Sequence, residues 1–338
     1  MRKGFVAAFL ALFLIAPLFA QGIAEQKTPD SGTVTVYCYD SFTGDWGPGN
    51  AIKEGFEAET GLKLNLISCG TSVDMLQRLA YEGSSSIADV VVGIQDSDAV
   101  DFSSYAGYTL PGSVNLAASL DVQDGRLVPY DYGVFAFVVN TEKLSDCPTC
   151  LDDLLKPEYK NAFILADPRT SSVGMGLLLW TIDVYGEEGY LDWWERAAQN
   201  ALTIADSWSS AYGLFTEGEA PMVISYTTSP VYHVMYENTT SIRALLFTDG
   251  HHQCVEFAGI TANASNPEGA KLFMDYLLTH GQKEIAVDNS MYPANTLEQM
   301  PAAFEYAPVP EKILSTDRDK VLAKMEEYLS AWALRMVR

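Results

Sequence analysis

TVTVYCY at 33–39, LKLNLIS at 62–68 and ADVVVG at 88–93 are three runs of β-branched, aromatic and aliphatic residues that read as strands. Between the first two, Ala51 to Thr60 carries Ile52 and Phe56 on one face and closes on Gly61, which predicts a short helix with a C-terminal glycine. Between the second and third, Val73 to Tyr81 sets Leu76, Leu79 and Ala80 on one helical face. The 88–93 run is almost wholly apolar, as a strand covered on both faces must be. Strand, helix, strand, helix, strand within the first hundred residues predicts a parallel α/β sheet.

Outward from this block the pattern repeats. Tyr130 to Val139 reads as one long strand, and a second α/β series follows it. Strands are expected over 163–166, 222–226 and 255–261, and helices over 173–185, 191–200 and 267–279. Two α/β lobes joined by long strands imply a cleft between them, and ligands of α/β proteins gather at strand carboxyl ends. The expected division is 33–130 with about 256–305 in lobe 1, and 131–255 with about 306–338 in lobe 2.

The chain has 338 residues, 48% of them hydrophobic and 12% aromatic, enough apolar material for two cores. Arg2 and Lys3 precede an apolar run from Phe5 to Phe19 and small residues at Ala20 and Ala24, the order of a secretory signal peptide over 1–24. The formal charge is −23, and removal of Arg2 and Lys3 takes it to −25 because no acidic residue precedes Glu25. That surface argues against nucleic acid and anionic lipid as partners and mildly concentrates cations. Five cysteines in an exported chain permit two disulfides. Cys147 and Cys150 are expected to pair, with a second bridge between Cys38 and Cys69 open and Cys254 left free. The C-x-x-C has no second pair to complete a zinc site. His251 and His252 would point to opposite faces of a strand, so no shared metal ion is expected there. No G-x-S-x-G or papain-like cysteine signature marks a hydrolase, so no enzyme is expected.

Several blocks closely resemble the periplasmic thiamine-binding proteins of bacterial ABC importers. They are Tyr37 to Phe42 with Asp45-Trp46-Gly47-Pro48-Gly49, Ala88 to Val91, Asp131-Tyr132-Gly133 with Phe135 to Val138, Asp167 to Ser171 with Gly176 to Trp180, and Trp208-Ser209 with Ala211 to Phe215. Ser225 to Pro230 with Tyr232-His233, and Met291-Tyr292-Pro293, complete a series that spans nearly the whole mature chain in the family's order. The resemblance implies a two-lobed, type II periplasmic binding protein. Each lobe would be a mostly parallel sheet flanked by helices, with the ligand cleft between them. It also implies a monomeric periplasmic protein that captures thiamine or its mono- or diphosphate and passes it to an ABC permease and ATPase, with no cofactor of its own.

Thiamine carries a permanent positive charge on a flat thiazolium ring, and such a cation favours the faces of Trp and Tyr within about 6 Å. The family places such rings at positions matching Tyr39, Trp208, Tyr226 and Tyr232. Ser171 and Ser172 fall between a strand and a helix, where free backbone amides hold anions, and the family assigns the hydroxyl or phosphate end to the serine matching Ser171. An ordinary helix N-cap is the competing role, weighted toward Ser172. Two positions depart from the family pattern. Cys69-Gly70 stands where a family member has Asp-Gly with the aspartate on the ligand, and Ser290 stands where it has tryptophan. The other cargoes this chemistry admits are a polyamine held by Asp40, Asp45, Asp131 and Asp167, another cation, or ferric iron on clustered tyrosines.

Overall fold

The computed structural model describes residues 32–314 and 317–336; the expected signal peptide and its cleavage site lie outside them. The opening block forms β1 (Thr33–Cys38), a one-turn helix α1 (Asp40–Thr43), α2 (Gly49–Thr60), β2 (Lys63–Ser68), α3 (Ser72–Glu82) and β3 (Val90–Gln95). Helix α2 ends on Gly61 in the left-handed conformation at φ 73°, where a side chain would be strained. A reciprocal capping box between Thr71 and Asp74 starts α3. β1 pairs in parallel with both β2 and β3. β3 is buried along its whole length: Val90 and Val92 enter the main core, while Val91 and Ile94 enter a second core on the sheet's other face.

The long strand β4 (Val128–Asn140) then belongs to two sheets. Its first part, Val128 to Val134, pairs antiparallel with a later strand, and its second part, from Phe135, pairs with the second series. That series comprises β5 (Phe163–Ala166), α4 (Ser172–Asn200), β6 (Thr203–Ala205), α5 (Trp208–Glu217), β7 (Met222–Tyr226), α6 (Pro230–Tyr236) and β8 (Ile242–Ala244). The chain returns through β9 (Gln253–Ile260), followed by α7 (Pro267–Leu277), α8 (Gln282–Val287), β10 (Tyr292–Pro293) and α9 (Arg318–Met336). The strand order is β2-β1-β3-β9-β4-β7-β5-β6, one curled sheet whose two halves hinge on β4. Strands 2-1-3 and 7-5-6 run parallel, and every antiparallel pair involves one of the crossing strands β4 and β9, whose other partners are β3, β7, β8 and β10.

The change of sheet falls between Val134 and Phe135, where Phe135 N donates to His252 O at 2.9 Å. The sequence division at 130/131 and 255/256 therefore lies a few residues from the crossings, because β9 pairs with the first sheet from Gln253 onward. The helices expected at 173–185 and 191–200 run together as α4, broken by Gly186 at φ 70° and ψ 176°. Buried Val, Leu, Ile and Phe side chains each contribute about 1.5–3 kcal/mol, and most of those on β4, β5, β7 and the first half of α4 are fully buried. This apolar filling makes each half rigid enough to present the strand ends between them.

All five cysteines are free thiols, against the predicted Cys147–Cys150 bridge. Cys147 Sγ turns to Leu144 O at 3.7 Å, and Cys150 leads into a short helical turn. Cys38 and Cys69 are not joined either. Cys38 is buried in the main core with Val34 and Val36, whereas Cys69 packs against the core on the other face of the sheet.

Candidate functional site

The carboxyl ends of β1, β3 and β7 and the first turns of α4 and α5 surround a cleft between the two halves, with a cavity of about 320 Å³. Seven of the nine sequence-predicted site residues line it: Tyr39, Ser171, Ser172, Trp208, Tyr226, Tyr232 and Ser290. Cys69 and Gly70 do not. The turn after β2 leaves Cys69 against the second core, where Arg78 Nη1 approaches its sulfur at 3.7 Å, and the carbonyl of Gly70 accepts Asp40 N at 2.7 Å. Thr71 and Ser72, the next two residues, line the cavity in their place.

Tyr39 owes its position to a glycine. β3 carries a bulge between Val92 and Ile94, and Gly93 within it has φ 106°. A Cβ on Gly93 would lie 2.3 Å from the Tyr39 ring, so only glycine allows both the backbone and the ring to sit there. The Tyr39 hydroxyl then donates to Glu256 Oε2 at 3.1 Å and accepts from Asn289 Nδ2 at 3.3 Å.

The opposite wall is built from α5, β7 and α6. Trp208 opens α5 after the N-cap Ser207, its Nε1 donating to Ser225 Oγ at 2.9 Å and its ring stacking on Tyr212 at 5.0 Å between centroids. Tyr212 is tied to His233 Nε2 at 2.8 Å, and His233 Nδ1 reaches Glu237 at 2.6 Å. Tyr226 ends β7 and stacks on Phe135 at 5.0 Å, a contact that fixes its face toward the cavity. Burial holds the Tyr39 and Tyr226 phenols well above their ordinary range, so both stay neutral.

Ser171 is 2% exposed and is the N-cap of α4, its Oγ accepting Gly174 N at 3.3 Å. The capping role thus falls to Ser171, and Ser172 begins the helix proper. A Cβ on Gly174 would lie 2.5 Å from Ala166 O and 2.6 Å from the Asp167 backbone, so glycine lets the helix start close onto the end of β5, where Ser171, Ser172 and Val173 line the cavity. Ser290, in the left-handed region at φ 51°, is buried with its Oγ unpartnered.

Trp46, Tyr212, His233, Glu256, Asp288 and Asn289 also line the cavity without having been assigned to it from the sequence. The available signal was clearest for Glu256, an acidic residue inside an otherwise apolar strand. His251 and His252 do diverge: His251 Nδ1 faces Phe135 O at 2.8 Å and His252 Nδ1 faces Asp183 at 3.0 Å. Among the described residues, no group of three His, Cys, Asp or Glu side chains is placed to hold a metal ion.

Two α/β halves hinged on β4, with an aromatic wall, a helix start and carboxylates meeting between them, define a two-lobed binding protein. The chain belongs to the bacterial extracellular solute-binding proteins, which match residues 85–324, and within them to the thiamine-binding periplasmic proteins. It is 38% identical over 327 residues to the thiamine-binding periplasmic protein of Brucella melitensis, covering 95% of this chain and 96% of that one. The Escherichia coli protein of the same name is 38% identical over 328 residues, covering 96% of each. A solved periplasmic thiamin binding protein superposes with a TM-score of 0.84 at 36% identity, over 90% of this chain and 96% of that chain. The family's role is solute binding, not catalysis.

Proposed function

We propose that this protein captures thiamine or a thiamine phosphate in the periplasm and delivers it, as a monomer, to the permease and ATPase of an ABC importer. The observation that carries the reading is the aromatic wall of Trp208, Tyr212, Tyr226 and Tyr232 opposite Tyr39 and the buried carboxylate of Glu256 in one cavity. A flat cationic ring needs aromatic faces and a nearby negative charge, and both are present. The start of α4, capped by Ser171, takes the hydroxyethyl or phosphate end. No cofactor is needed for this role.

Calorimetric titration with thiamine, thiamine monophosphate, thiamine diphosphate, spermidine and ferric citrate tests the reading. Saturable one-to-one binding of a thiamine form supports it. Spermidine or iron binding without thiamine binding moves the cargo to the polyamine or ferric alternative.

A further inference from the structure

Asp131 on β4 and Glu256 on β9 are direct cross-strand partners beneath the cleft. Glu256 lines the cavity. Its Oε2 accepts Tyr39 Oη at 3.1 Å and Tyr130 Oη at 2.5 Å, and its Oε1 accepts Gln95 Nε2 at 3.2 Å. Asp131 is wholly buried. Its Oδ2 accepts Asn289 Nδ2 at 2.9 Å, and its Oδ1 has no partner.

Neither carboxylate takes part in an ion pair among the described residues. The other titratable groups that face them are Tyr39 after β1, Tyr130 on β4, Tyr226 on β7, Cys254 on β9 and Asp96 after β3, none of which supplies positive charge. Two carboxyls in a buried space without a cation cannot both ionise cheaply. Burial and then the charge on Glu256 push the Asp131 carboxyl well above the usual range. Burial raises Glu256 as well, opposed by its hydrogen bonds from Tyr130, Tyr39 and Gln95. The three hydrogen bonds mark Glu256 as the ionised member and Asp131 as the one that keeps the proton.

We propose that the Asp131–Glu256 pair is the counter-charge for a cationic ligand, and that capture of the cation expels a proton from the pair to solvent. The proposal rests on the cation-binding reading given above. A positive ring beside Glu256 favours the doubly ionised pair, so the Asp131 proton leaves as the ligand enters, and by linkage the affinity for the cation rises with pH. The sign for the empty protein is opposite. Asp131 holds its proton more tightly folded than unfolded, so the empty protein loses stability as pH rises through the interval between the two values, while the stabilisation by ligand grows.

The test is calorimetry in three buffers of different ionisation enthalpy, with thiamine and with its uncharged isostere in which a thiophene replaces the thiazolium. Both ligands share the aminopyrimidine ring, so its own protonation cancels in the comparison. Thiamine is expected to release more protons than the isostere, by as much as one, and to gain up to about tenfold in affinity per pH unit. Glu256→Gln is expected to weaken thiamine at least about tenfold more than it weakens the isostere. Asp131→Asn, which removes the proton carrier, is expected to abolish the extra release and serves as the readout if Glu256→Gln does not fold. Thiamine binding with the same proton count as the isostere overturns the proposal while leaving the thiamine reading standing. Failure of the wild type to bind either ligand overturns both.

Discussion

Trp46 and Trp208, which come from opposite halves of the molecule, approach to 5.5 Å between ring centroids at 59° across the cleft. A hydrogen bond from Tyr236 on α6 to Asp288 after α8 spans the same gap. The two halves therefore meet through side chains at the mouth of the cavity, and Trp208 is shared between the inter-lobe contact and the aromatic wall.

Loss of Trp208 is expected to cost binding strongly. Removal of a desolvated cation–aromatic contact costs roughly 2 kcal/mol, or about thirtyfold in dissociation constant. Trp208 is only partly buried and opens a helix capped independently by Ser207, so Trp208→Ala is expected to retain the wild-type circular dichroism spectrum. Thiamine titration together with that spectrum checks both halves of the statement.

Ser171 serves the helix start and the anionic end of the ligand together. Ser171→Ala removes the cap of α4 and is expected to lower stability by about 1 kcal/mol in denaturant unfolding. In titration it should weaken thiamine phosphates more than thiamine, because only the phosphate uses both the hydroxyl and the free amides. Equal losses for the two ligands would place the phosphate elsewhere.

Gly93 carries a prediction that no contact with ligand would suggest. Gly93→Ala meets both an unfavourable φ and the Tyr39 ring. Displacement of Tyr39 removes a hydrogen bond to Glu256 and one face of the cavity. The variant should bind thiamine at least about tenfold less tightly, and its unfolding midpoint should fall. Gly61→Ala, also at positive φ but with open space around its side chain, should lose stability without a matching loss of affinity.

The cysteines provide a check independent of ligand. Titration of thiols in the denatured, non-reduced protein is expected to count five, and one or three would show that a bridge forms after export. In the native protein Cys38 and Cys254 are buried, and burial raises both thiols, so reaction should be confined at first to Cys69, Cys147 and Cys150.

Much of this architecture was legible because strand and helix periods are strong in long, apolar segments. The strand at 163–166, the strand at 222–226 and the start of the helix at 267 are read at their observed positions. Helix α5 was not read, although it carries Trp208. Its ten residues mix serine, glycine and aromatics with little periodicity, and only Ser207 before it and Gly218 after it mark its ends. The cavity-lining aromatics were visible as family positions, whereas the exclusion of Cys69 depended on a turn that sequence pattern does not orient. The Asp131–Glu256 pair was hidden for a different reason. Asp131 is noticeable as a carboxylate, but its neighbour is set by the register between β4 and β9, more than a hundred residues apart in the chain.

Titration of the purified, exported protein with thiamine by calorimetry tests capture of the vitamin most directly. Saturable one-to-one binding of thiamine or one of its phosphates is expected well below about 1 mM, lost in large part in Trp208→Ala. No binding of any thiamine form at about that concentration, with heat from spermidine or ferric citrate instead, would contradict it.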